Sequence, residues 1–294
     1  MSMKDTLEDL QSKLSREGQV KILVFTGLLL LLFAPVLLKL ARGWYQDGDY
    51  SHGFFVIPIS LFMVWQKRGI FLAERPNPSW FGLVVLALSL AAYYVSTVTR
   101  FNTLLHLSMM TTIFGMLLFL GGWRITKQLI LPVLFLLFMF PIPNAYYILI
   151  TNPLKLMITE VSAELIYLMG IPVHQDGNIL FLANTQLEVA EACSGIRSLY
   201  SYLMLGCLFA LMTKSSVSKA ILIFSTLPLA LLVNVARVTV TGILSNYYGS
   251  QVAQGFFHEF SGFALFGLGF VILFVEYYLL QKRAVAGSGN PEAG

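Results

Sequence analysis

Eight stretches of this chain are long or apolar enough to enter a lipid bilayer, and that constrains the fold more than any motif. They lie near 22–40, 53–67, 80–98, 103–121, 128–146, 195–213, 218–245 and 260–280. In lipid every backbone N–H and C=O must be satisfied within the protein, so segments of this kind fold as helices. Composition agrees: 57% of residues are apolar, 12% are charged, and mean hydropathy is +0.75, outside the range of water-soluble domains. The second stretch is short and holds Pro58; the fifth holds Pro132 and ends at Pro141-Ile-Pro143; the seventh holds Pro228. Proline at these places bends or ends a helix without preventing it. No secretory cleavage site follows the first stretch, which reads as a retained helix.

Lysine and arginine set the orientation. With the N-terminus on the cytoplasmic side, thirteen of the nineteen Lys and Arg fall in inner segments. Both termini are then inside, as an even number of crossings requires. The basic net charge is this positive-inside bias and needs no nucleic-acid partner. The expected organisation is a cytoplasmic segment 1–21, one polytopic membrane domain 22–283, and a disordered cytoplasmic tail 284–294 rich in Gly, Ser and Pro.

The longest segment outside these stretches is 147–194. From Ala145 to Met169, apolar residues Leu154, Met157, Ile158, Val161, Leu165 and Leu168 recur at helical spacing, with Lys155, Glu160 and Glu164 between them. That pattern predicts an amphipathic helix on the outer leaflet, or a re-entrant element. Ile179–Leu182 and Leu187–Ala190 flank a turn and predict a small β-hairpin. The fold class is therefore an all-α polytopic membrane protein of about eight transmembrane helices, with a small outer amphipathic helix and hairpin.

The chemistry gathers on the outer side of this topology. Glu191-Ala-Cys193-Ser-Gly-Ile-Arg197-Ser-Leu199 stands at the mouth of the sixth stretch. At a helix start the exposed N–H groups and the dipole favour a thiolate, and Arg197, four residues on, adds positive charge on the same face. Cys207 lies mid-span, 14 residues further on, which is about 21 Å along a helix and beyond disulfide reach. It reads as a packing residue. Arg237 sits in the outer half of the seventh stretch, where an arginine is costly unless it serves a site. Asn234, three residues earlier on the same face, suits a role in holding that guanidinium or a substrate carbonyl. His258 precedes the eighth stretch, and Asp49-Tyr-Ser51-His52-Gly53 follows the first. His52 with Asp47 and Asp49 lacks regular ligand spacing and no paired-histidine helix motif occurs, so no metal or other cofactor is assigned. Thiol, cation and imidazole are the parts of a thiol acyl-transfer site: Cys193 as nucleophile, Arg237 as oxyanion stabiliser, His258 as general acid and base.

Four blocks, Asp49-Tyr-Ser51-His52-Gly53, Glu191 to Leu199, Asn234-Val-Ala-Arg237, and His258 followed by Gly262, stand in the order seen in exosortases. The chain resembles the exosortase/archaeosortase family of polytopic membrane proteins. The resemblance implies a cysteine transpeptidase-like enzyme of the bacterial inner membrane. Its substrates would be membrane-anchored proteins whose C-terminal sorting signals carry a Pro-Glu-Pro-type motif, a membrane helix and a basic tail. It also implies Cys193, Arg237 and His258 as the catalytic set, with Arg197, Asn234, Glu191, His52, Asp49 and Ser51 in supporting or substrate-binding roles. A link to exopolysaccharide production comes with it. Some members carry an added soluble domain; here that domain would come from a separate polypeptide. The alternative is a transporter or assembly factor for exopolysaccharide or lipid-linked sugar export, against which the scarcity of charge in the inner halves of the spans counts.

Overall fold

A computed structural model of the chain describes residues 16–71, 76–189, 196–249 and 256–287. The chain divides into two units, Met1–Pro141 and Ile142–Gly294. Among the described residues five helical stretches are long and apolar enough to cross a membrane: Arg16–Gln46, Trp80–Thr99, Asn102–Met139, Ser216–Tyr248 and Gly262–Arg283. Gly53–Gln66 and Ser198–Met212 are apolar but shorter, and the one run Asn102–Met139 takes in the expected fourth span and the first part, 128–139, of the fifth. Leu23, Leu31, Phe224 and Phe263 are each about three-quarters exposed. Apolar surface on this scale is unfavourable in water and suits lipid.

The first unit contains α1 (Arg16–Gln46), a 3-10 turn (Gly48–Tyr50), α2 (Gly53–Gln66), the one-turn α3 (Arg68–Phe71), α4 (Trp80–Thr99), α5 (Asn102–Phe135) and a second 3-10 turn (Leu136–Met139). α5 is not straight. Gly122 has φ 78° and ψ −178°, and the His106 ring stacks on Phe140 with centroids 4.6 Å apart. Along an unbroken helix those residues would stand about 51 Å apart, so the chain reverses at Gly122. The first arm, 102–121, runs antiparallel to α4, where a Cβ on Gly82 would strike the Phe119 backbone. The close approach is typical of small residues at helix contacts in lipid.

The second arm, 123–135, runs antiparallel to α2, and polar side chains repair its backbone. Pro132 has no N–H, which leaves the Gln128 carbonyl without its helical donor. Lys67 Nζ donates to that oxygen at 2.9 Å, and Ser60 Oγ donates to the Pro132 carbonyl at 2.8 Å. At the far end Trp44 Nε1 donates to Met139 O at 2.9 Å. The arm stops at Met139, short of the predicted 146, because Pro141 and Pro143 supply no N–H.

The second unit contains α6 (Asn144–Leu168), β1 (Val173–Asp176), β2 (Ile179–Leu182), β3 (Gln186–Glu188), α7 (Ile196–Met212), α8 (Ser216–Tyr248) and α9 (Phe256–Gly287). One correction concerns its outer segment. The sheet has three antiparallel strands in the order β1-β2-β3, one more than the predicted hairpin. Val173–Asp176 is missing from the sequence reading because its alternation is between polar and weakly apolar residues. α6 has the predicted extent, and most of its apolar stripe faces outward. Thr151, Ile158, Thr159, Ser162 and Ile166 are buried, whereas Met157, Val161, Leu165 and Leu168 are exposed. Facing lipid, the apolar stripe has no reason to turn inward, and small hydroxyl residues fit the helix contact. Ser162 Oγ accordingly donates to the Val235 carbonyl of α8 at 3.4 Å.

The sheet closes a core of Ile166, Ile171, Leu180, Leu187 and Val189 against Val235 and Val238 of α8. A second core, with Tyr202, Phe209, Leu222, Leu229, Val233 and Leu273, joins α7, α8 and α9. Ser215 caps α8 by accepting from Ser218 N at 3.4 Å. α9 runs on to Gly287; residues 1–15 and 288–294, the outer parts of the two predicted tails, lie outside the described residues.

Candidate functional site

Helix register determines which residues of the second unit share a level. α8 and α9 are antiparallel: Ser225 Oγ donates to Glu276 Oε2 at 2.8 Å, and twelve residues on along α8 and fourteen back along α9 Arg237 meets Gly262. A Cβ on Gly262 would lie 3.0 Å from both Cζ and Nη2 of Arg237. The guanidinium thus lies flat on the first turns of α9, at a place where only glycine leaves room. α7 runs in the same sense as α9, because Tyr202 pairs with Phe266 and Phe209 with Phe270 and Phe274. The opening residues of α7, Ile196 and Arg197, are therefore at the same end of the helix trio as Gly262 and Arg237.

Arg237 is half-buried. Asn234 is one turn deeper on the same face, 1% exposed. Its Nδ2 has no hydrogen-bond partner among the described residues. A buried amide N–H that forgoes a bond loses about 1–3 kcal/mol, so an acceptor arriving beside Arg237 would find a donor ready. His258 stands four residues before Gly262, hence on the same face of α9. For His258 and Arg197 the helix positions are described and the side chains are not. Cys193 and Glu191 lie outside the described residues.

His52, Ser51 and Asp49 belong to the first unit. His52 is buried, and its Nε2 lies 3.2 Å from the Phe138 carbonyl. A carbonyl only accepts, so this contact needs the tautomer with hydrogen on Nε2. With Trp44 on Met139 O it clasps the 3-10 turn that ends the second arm of α5. Ser51 Oγ donates to Gly48 O at 2.9 Å and is exposed. Asp49 is in the first 3-10 turn, and its side chain is not described. Among the described residues no group of three or more His, Cys, Asp or Glu is arranged to hold a metal. Cys207 is a half-buried free thiol in α7.

Two features escaped the sequence reading. Glu276 is a carboxylate inside the last apolar helix, and a lone acid in a membrane span is itself a signal. Tyr202 is fully buried, its hydroxyl donating to Phe266 O at 2.9 Å and its ring seated over Gly269. This contact ties α7 to α9 and so sets the level of the α7 N-terminus. Tyr202→Phe is expected to lower stability by about 1 kcal/mol, read as a lower thermal midpoint in detergent.

A multi-pass membrane protein with a cation set into a helix cleft at one end of its spans is the class that fold and site define. Residues 44–275 match the family described as Transmembrane exosortase (Exosortase_EpsH), and the chain belongs to that family. No curated protein and no solved structure matches it.

Proposed function

We propose that this protein is a membrane-embedded cysteine peptidase or transpeptidase. It cleaves Pro-Glu-Pro-type C-terminal sorting signals of exported proteins at the outer face of the bacterial inner membrane. The observation that supports this best is the Arg237 guanidinium on Gly262, one helical turn from His258 and level with the start of α7. Cys193 is three residues before Ile196, so extended chain reaches about 11 Å from that level.

The chemistry follows from these groups. The Cys193 thiolate attacks the scissile carbonyl carbon, and its electrons move to oxygen. Arg237, with Arg197 and the Asn234 amide, stabilises that oxyanion. The intermediate collapses by breaking the C–N bond, His258 gives its proton to the departing amine, and a thioester remains. His258 then deprotonates the acceptor, whose attack on the thioester carbonyl breaks the C–S bond and releases the Cys193 thiolate beside a protonated His258. Water as acceptor makes the enzyme a protease; an amine or hydroxyl makes it a transpeptidase. Glu191 supports the nucleophile segment, while His52, Asp49 and Ser51 serve the first unit's outer end.

In this reading the chain crosses the membrane eight times, with both termini cytoplasmic and the site facing the periplasm. Counting the two arms of α5 separately and adding the shorter α2 and α7 to the other four long helices reaches that number. The substrates are anchored by their own helix and enter laterally, in step with exopolysaccharide production.

The test is processing of a co-expressed protein bearing a Pro-Glu-Pro C-terminal signal, by wild type and by Cys193→Ala at equal membrane levels. Loss of the shortened product in the variant is expected. Equal processing by both would return the transport and assembly readings to the front.

A further inference from the structure

The sheet of the second unit ends in an open edge just before the candidate nucleophile. Val189 N–H donates to Asn178 O at 2.8 Å and Leu182 N–H donates to Thr185 O at 2.8 Å. With Leu180 opposite Leu187, residues 185, 187 and 189 therefore direct their backbone groups toward β2. In an antiparallel ladder the alternate residues point the other way, so Gln186 and Glu188 turn theirs outward. Both residues are exposed. Among the described residues these outward groups have one contact, from Thr185 Oγ1 to Gln186 O at 3.4 Å. The opposite edge is different: Val173 and Gln175 of β1, whose groups point outward there, are half-buried, and Val173 packs on the core.

The position of this edge gives it meaning. Leu187 packs toward Gly242 of α8, and Val189 shares a core with Val235 and Val238, which flank Arg237 in sequence. Glu188 is five residues before Cys193. An edge strand is a template for another strand, and folds commonly blunt it with proline, a bulge or a covering element; β3 is exposed and holds no proline. Outward groups on every second residue recur at about 6.6 Å, the repeat of extended main chain.

We propose that the outer edge of β3 is the docking strand for the substrate polypeptide. An extended stretch of substrate adds as a fourth strand beside Gln186–Glu188, which delivers its scissile bond toward Cys193. The inference rests on the peptidase reading and names how that site takes its substrate. Four main-chain hydrogen bonds form a weak dock by themselves. That is sufficient for a partner held in the same bilayer, where linkage raises the effective concentration.

The experiment uses the full-length Cys193→Ala protein in detergent micelles and a fluorescein-labelled synthetic peptide spanning the Pro-Glu-Pro signal of the processed substrate, followed by anisotropy. Glu188→Pro deletes an outward N–H and leaves the bonds to β2 intact, since proline is tolerated at such edge positions. It is expected to weaken binding about tenfold and, with Cys193 present, to raise KM while kcat is retained. Glu188→Ala, which removes only the side chain, is expected to bind as the parent does. Peptides carrying a single N-methyl group give a second measurement that needs no variant: binding should fall at alternate peptide positions. Parent-like binding by Glu188→Pro, an equal loss with Glu188→Ala, or no two-residue period on N-methylation would each overturn the proposal. Processing that survives Cys193→Ala overturns the thiol mechanism and leaves the edge standing, because the binding measurement uses protein without the thiol.

Discussion

Valine at position 262 is expected to lower processing about a hundredfold without lowering the amount of protein in the membrane. The first added carbon already falls 3.0 Å from Cζ and Nη2 of Arg237, and the two methyl groups of valine reach into the volume the guanidinium occupies. The arginine must swing away, because the other party to the contact is the backbone of α9. A displacement of about 1 Å at an oxyanion-stabilising group costs on the order of a hundredfold in rate. Gly262→Ala needs only a few tenths of an ångström of adjustment, so about tenfold is expected. The measurement is kcat for signal cleavage in each variant, alone and combined with Arg237→Ala. If position 262 acts through Arg237, valine costs nothing further once the arginine is gone. Losses that multiply would mean that Gly262 serves helix packing and not the guanidinium.

Gly122→Ala is expected to be more damaging still, and to the fold, not to the chemistry. Two costs coincide there. A side chain at φ 78° is strained by roughly 1–3 kcal/mol. The new methyl would also run into the Asn77 carbonyl, which is backbone and cannot rotate aside; such overpacking costs a further ~1–3 kcal/mol. Together they amount to much of the stability of an ordinary domain. The expected result is little or no folded protein after detergent extraction, read by size-exclusion profile and thermal midpoint. A variant that extracts and melts like wild type would show that 102–121 and 123–135 turn back on each other by another route.

Both glycines were present in the sequence, yet only one was legible there. Gly262 drew attention because it belongs, with His258, to one of the four blocks that carry the family resemblance. Gly122 falls in the break between the fourth and fifth stretches, but what makes that one position indispensable is a carbonyl 45 positions earlier. α6 shows the same limit from the other side. Its helical periodicity is plain in the sequence, and its boundaries agree with the predicted ones to within a residue. Which stripe turns inward was left open by the periodicity, because the rule that apolar faces turn inward assumes water outside. For the candidate site, the cation and its helix face were readable because arginine in lipid is costly. Tyr202, which aligns α7 with α9, carried no comparable signal, since a tyrosine in an apolar helix is ordinary.

By itself the sequence determined the solvent, the helices and the candidate chemistry. Lipid compatibility depends on how many apolar residues follow one another, and an acyl-transfer set depends on which side chains exist; both are properties of the chain alone. Tertiary structure alone decided that α5 turns at Gly122 and that Ser162 reaches the α8 backbone. It also decided that Arg237 rests on Gly262 and that β3 exposes its outer edge. Each of those depends on contacts between segments far apart in the chain, where close packing allows one arrangement and sequence spacing says nothing about which.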